Sequence, residues 1–131
     1  MTRYEFGYVP FRGSNFPIIP LELRLSDGPW VASEALVDSG ASVSLFDGQI
    51  GRVLGLSINR GERIRPVGIG GTISAFLHRI RLRIGDEEFE AEVAFTESQR
   101  LPLNLLGRKP VFEKFLVTFD ERARQTILET L

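Results

Sequence analysis

The sequence predicts a mainly β fold, a sandwich or closed barrel that carries two short helices. Three observations lead there. Apolar and polar residues alternate with a period of two in several segments. Two such runs are joined by Gly85-Asp86, a pair suited to a two-residue hairpin turn. Helical signals occur in only two places, after Asp47 and after Pro110, and both are brief.

Taken in order, the first twenty residues hold Pro10, Pro17 and Pro20 with Gly7, Gly13, Ser14 and Asn15. They read as an extended arm, 1–20, ahead of a single domain, 21–131. From Leu21 the chain alternates, with Leu21, Leu23 and Leu25 on one face and Glu22 and Arg24 on the other, which predicts a half-buried strand. Ser26 to Pro29 form a turn. A second strand follows from Trp30 to Asp38, and a third is "SVSLF", 42–46.

The first helix is "DGQIGRVLGL": Asp47 is its N-cap, Ile50, Val53 and Leu54 share a face, and Gly55 closes it. The hairpin "FLHRIRLRIGDEEFEAEVAF" sets Arg83 opposite Glu88, Arg81 opposite Glu90 and Arg79 opposite Glu92. On its other face Leu82 meets Phe89, Ile80 meets Ala91 and His78 meets Val93. Opposite charges and apolar pairs therefore segregate, so the charge run reads as a solvated face. Pro110 fits the first position of the second helix. A last hairpin joins "LVTFD" to "QTILET" through the polar turn "ERAR".

Composition narrows the function. At 131 residues, 43% hydrophobic and 25% charged, the chain suits one globular domain with a real core. A net charge of −1 argues against nucleic acid or a membrane surface as partner. Without cysteine there is neither a disulfide nor a thiolate-held metal, and no metal or cofactor is expected. The start, "MTRYEFGYVP", has no apolar leader and no run is long enough to span a bilayer, so a cytoplasmic location is the expectation. The sole histidine, His78, lies inside a strand pattern and reads as a packed residue, not a catalyst.

The chemistry concentrates in "EALVDSGASVSLF", Glu34 to Phe46. A carboxylate at the end of an apolar run is costly unless it is hydrogen-bonded or paired. Gly40 permits a tight turn that aims backbone N–H groups and the Ser39 hydroxyl at Asp38. One such carboxylate is a weak hydrolytic tool. Two held close together share a proton, so one takes a proton from water while the other donates to a carbonyl oxygen.

"ALVDSGAS" resembles the active-site signature of retropepsin-like aspartic proteases, the single-domain relatives of pepsin. "VGIGG", Val67 to Gly71, resembles their flap tip, and "NLLGR", Asn104 to Arg108, the apolar-apolar-Gly element behind the active-site loop. The resemblance runs from Leu21 to Phe119 and implies a closed β-barrel of the acid-protease type. It implies an aspartic endopeptidase that hydrolyses peptide bonds in a peptide or protein substrate. Because the chain has one such motif, it implies a homodimer with Asp38 of each subunit on the two-fold axis. In that frame Asp38 is catalytic, Ser39 braces the partner's loop, and Gly40 offers its N–H to the carboxylates. Gly68, Ile69, Gly70 and Gly71 fold over an extended substrate. Ala41, Leu105, Leu106 and Gly107 support the loop. The terminal "QTILETL" is a candidate for a dimer sheet, and activity is expected to fall at high pH. Ser39 stands where many members have Thr, and the flap lacks the Tyr of pepsins.

Rival readings stand beside these. Asp-Ser-Gly alone is a common strand-ending turn. "GIGG" as a phosphate loop needs a helix after it, and "TISAFLHRIRLRI" alternates instead. Trp30 and most of the ten phenylalanines read as core. The alternative function is a non-catalytic peptide-binding or assembly module on the same fold.

Overall fold

The computed structural model describes residues 1–68 and 71–131. In order, the strands are β1 (Arg3–Gly7), β2 (Val9–Phe11), β3 (Ser14–Phe16), β4 (Ile18–Arg24), β5 (Val31–Val37) and β6 (Leu45–Phe46). Helix α1 (Gly48–Leu54) and a 3-10 turn (Ile58–Arg60) come next. Then follow β7 (Glu62–Ile64), β8 (Val67–Gly68), β9 (Gly71–Thr72), β10 (Ala75–Ile84), β11 (Glu87–Thr96) and β12 (Leu105–Leu106). Helix α2 (Val111–Lys114), β13 (Phe115–Asp120) and β14 (Gln125–Thr130) end the chain.

Six strands close a barrel in the order β11-β6-β12-β5-β4-β10, and β10 pairs back onto β11. The long β10 makes closure possible. One flank pairs with β11 along its whole length, while the other serves β4 at Arg81–Arg83 and β7 at Ala75–Leu77. The β10–β11 register is the one its charges dictate: Arg83 opposite Glu88, Arg81 opposite Glu90, Arg79 opposite Glu92. Gly85 opens the turn at φ +59°, a conformation side chains disfavour. Leu21, Leu23, Val37, Phe46, Leu82, Val93, Phe95 and Leu106 fill the interior.

Several elements differ from expectation, each for a physical reason. The strand expected from Leu21 begins at Ile18, because Ile18 and Ile19 are both buried. Pro20 is exposed there, and β10 pairs only from Glu22 onward, so the missing N–H leaves no bond unmade on that flank. The strand expected over 42–46 shrinks to two residues. Val43 instead bridges to Lys109, and the Ser44 carbonyl accepts from Ala94 N–H.

In α1, Asp47 caps the N-terminus by accepting from Gln49 N–H, and Gly55 ends the helix at φ +96°. Val53, expected inward, is 60% exposed. Gly48 and Gly51 face inward instead, and Gly51 lies against the Phe95 ring, where a bare backbone lets the helix sit close. Pro110 stands one place earlier than expected, as the N-cap of α2.

Trp30 is not core. It is half-buried on the outer face, with the Arg24 and Arg83 guanidinium carbons 4.6 Å and 4.2 Å from its ring centroids. Phe46, Phe76, Phe95 and Phe115 are buried, whereas Phe119 is 39% exposed.

Outside the barrel, β1, β14 and β13 form an antiparallel sheet with β14 in the middle. Both edges of "QTILET", the expected dimer strand, are therefore used by its own chain. The first twenty residues are extended, as β1, the β2–β3 hairpin and the start of β4. Among the described residues no helix is long and apolar enough to cross a membrane.

Candidate active site

Asp38 follows the last residue of β5, and long-range bonds fix its backbone. β12 lies parallel to β5, with Leu105 beside Leu36 and Leu106 beside Val37. Asp38 N–H donates to the Leu106 carbonyl at 2.9 Å, and Leu36 N–H to the Asn104 carbonyl at 2.8 Å. From the other side Val37 N–H donates to the Pro17 carbonyl at 2.9 Å. The chain then turns: Ala41 N–H donates to the Asp38 carbonyl, and Gly40 N–H to Asp38 Oδ1 at 2.9 Å. Asp38 is half-buried, and Ser39 and Gly40 are exposed beside it.

Behind the turn, Gly107 occupies a place that admits no side chain. A Cβ there would collide with the carbonyl oxygens of Val43 and Ala41. Its N–H donates to Ser44 Oγ at 2.9 Å, and that fully buried hydroxyl donates to the Lys109 carbonyl at 3.0 Å. Arg108 N–H donates to the Ala41 carbonyl at 2.8 Å. Leu106 is buried in the main core cluster, and Leu105 packs on a smaller one with Leu45, Ala75 and Ala94.

Two supports carried no sequence signal strong enough to assign them a role. Asn104 Oδ1 accepts from Asp47 N–H at 2.9 Å while its amide donates to the Glu34 carbonyl at 3.0 Å, stapling β5 to the start of α1. Ser44 looked like any strand serine. Asp47, read only as a cap, also accepts from Leu101 N–H and Arg100 and so anchors the approach to β12. Burial pushes its carboxyl up, but the N–H groups of Gln49 and Leu101 and the Arg100 charge outweigh that and hold it below its ordinary value.

A cleft of about 320 Å³ opens beside Asp38, lined by Tyr8, Pro17, Leu36, Ser39, Phe119 and Glu121 among others. The Tyr8 hydroxyl donates to Glu121 Oε1 at 3.2 Å. Burial, then Glu121, raises the Tyr8 phenol above its usual value, so it stays a neutral donor.

The structure thus brings Asp38, Ser39, Gly40, Ala41, Leu105, Leu106 and Gly107 together. Gly68 and Gly71 stand opposite each other in a separate two-stranded hairpin, β8–β9, between β7 and β10. Ile69 and Gly70, the other expected flap residues, lie outside the described residues. No hydrogen bond among the described residues ties that hairpin to the Asp38 loop. His78 is half-buried, packs edge-on to Phe95 and lies 2.7 Å from the Ile58 carbonyl through Nε2, which must therefore carry the proton. No cluster of three metal-binding side chains occurs among the described residues.

The fold is that of the retropepsin-like proteins. The structure is similar to a retropepsin-like aspartic protease from Rickettsia conorii, with a TM-score of 0.63, 21% sequence identity, and 97% of this chain and 91% of that one covered. It is also similar to EIAV protease solved with the inhibitor HBY-793, with a TM-score of 0.55, 16% identity, and 76% and 88% covered. No family model matches the sequence, and no curated protein does.

Proposed function

We propose that the protein is an aspartic endopeptidase that works as a homodimer. The observation that carries this is Asp38 itself. In a retropepsin-like barrel, it is the acid at the mouth of a cleft, clamped by the Leu106 carbonyl and bonded to Gly40 N–H. One chain supplies one such carboxylate, so hydrolysis needs a second copy to supply the other.

A water held between the two Asp38 side chains loses a proton to the charged carboxylate and attacks the peptide carbonyl carbon. The protonated carboxyl donates to the carbonyl oxygen, giving a tetrahedral intermediate. Collapse of that intermediate expels the amine, which takes its proton from the carboxyl that accepted one from the water, while the other carboxylate recovers the proton of the carbonyl oxygen. Gly40 N–H keeps the Asp38 carboxylate oriented. Ser39, exposed at the turn, braces the partner's loop. Gly68, Ile69, Gly70 and Gly71 offer main-chain groups to an extended substrate, as an added strand does. Ala41, Leu105, Leu106 and Gly107 hold the turn still.

Asp38→Asn preserves shape and removes the acid. The expected result is an unchanged fold by circular dichroism and no cleavage of a diverse peptide library that the native protein cuts. Equal cleavage by the variant would refute the mechanism. Peptide binding by the native protein without turnover would favour the recognition module.

A further inference from the structure

We propose that Glu121 selects substrates that carry a lysine or arginine next to the bond to be cut. This rests on the peptidase reading above and gives its substrate a chemistry. The cleft beside Asp38 holds about 320 Å³. Ligand sites run from roughly 300 to 1,000 Å³, so this one suits a side chain and not a whole peptide. Pro17, Leu36 and Phe119 give it apolar walls, while Asp38 and Glu121 give it two carboxylates. No lysine, arginine or histidine lines it. Apolar walls beside a carboxylate match a cation on an aliphatic stem, whose methylenes lie along the walls while its head reaches the acid. A bare metal ion fits less well, because no three metal-binding side chains gather among the described residues.

Glu121 is uncommitted. It follows the last residue of β13 and is exposed. The Tyr8 hydroxyl donates to its Oε1, and its Oε2 has no partner among the described residues. Arg122 and Arg124, exposed on the same turn, form no salt bridge with it among the described residues and do not line the cleft. An incoming cation therefore meets a carboxylate with no cation to displace. The charge is felt at the cleft wall: burial first, then the Glu121 hydrogen bond and the charges of Glu121 and Asp120, raise the Tyr8 phenol. Because Asp38 lines the same cleft, the residue whose side chain enters it stands next to the bond on which Asp38 acts.

The test is a series of dye-labelled peptides with lysine, glutamine or glutamate at each position in turn. It is read as cleavage by the native protein and as binding to Asp38→Asn, by fluorescence anisotropy. At one position beside the cut, lysine should raise kcat/KM about fivefold over glutamine, and binding should follow the same order. Glu121→Gln should erase that preference, and Glu121→Lys should turn it towards glutamate. A reversal of that kind cannot come from misfolded protein. The preference should also shrink as salt is added. Cleavage indifferent to lysine, or a lysine preference that survives Glu121→Lys, overturns the inference and leaves the protease reading standing. Binding that follows both lysine and Glu121, with no cleavage by the native protein, supports the cation subsite and favours the recognition module. Neither cleavage nor binding overturns both.

Discussion

The β10–β11 hairpin and the Asp38 turn are built in opposite ways. The hairpin is settled by neighbours in sequence: Gly85 bends the chain, and Arg79, Arg81 and Arg83 each stand opposite a glutamate across the ladder. The Asp38 turn has one short-range bond to its carboxylate, from Gly40. Apart from Ala41 N–H on the Asp38 carbonyl, what else holds it comes from far along the chain: Pro17, Asn104, Leu106, and the Ser44–Gly107 contact. A structural element can state its own register. A site that must hold a carboxylate still depends on distant parts arriving together.

That contrast can be broken at the turn and should resist breaking at the hairpin. The largest effect is expected from Gly107→Ala. Its new methyl group meets the carbonyls of Val43 and Ala41, which are backbone and cannot swing away. The cost should be about 1–3 kcal/mol in urea unfolding, with loss of the proposed peptidase activity at temperatures where the barrel is still folded. Next comes Ser44→Ala, which leaves Gly107 N–H buried without its acceptor. About 1–2 kcal/mol is expected by the same measurement, and Ser44→Thr, which keeps the hydroxyl, should lose less.

Asp47 sharpens the comparison through pH. Its carboxyl sits below its ordinary value in the fold, so its contribution is complete above the unfolded value of 3.8 and is lost as pH falls through the folded value. Native protein should therefore lose stability on acidification below about pH 4, and Asp47→Asn should flatten that part of the curve of unfolding free energy against pH. The smallest effect belongs to the hairpin surface. Arg79 and Glu90 are 3.4 Å apart and mostly exposed, so Arg79→Ala should change stability by less than about 0.5 kcal/mol. A larger loss would mean that the charged ladder, and not the turn and apolar face, sets the register.

The same contrast explains what was legible in the sequence. The hairpin pairs, the Asp47 cap, the Gly55 stop and the β13–β14 hairpin all follow from residues close together, and each is where its local chemistry puts it. Leu-Leu-Gly behind Asp38 was legible through resemblance alone, because nothing in Leu105 or Leu106 distinguishes them from other core leucines. Asn104 and Ser44 were not legible. Their roles depend on partners such as Glu34, Asp47 and Gly107, which only the closed barrel brings near. Val53 failed for a related reason: periodicity ranks apolar side chains inward, whereas α1 seats two glycines against its neighbours. Trp30 failed because hydrophobic counting overlooks the affinity of an indole face for guanidinium groups.

The position of that indole has a practical consequence. It is the protein's only tryptophan, and it bridges an arginine on β4 and another on β10, and it is not among the residues that line the Asp38 cleft. Its fluorescence is therefore a local gauge of whether those two staves of the barrel remain in register. A ligand entering the cleft should leave the emission quiet, whereas separation of the staves should change it, so a single optical signal distinguishes occupancy from opening.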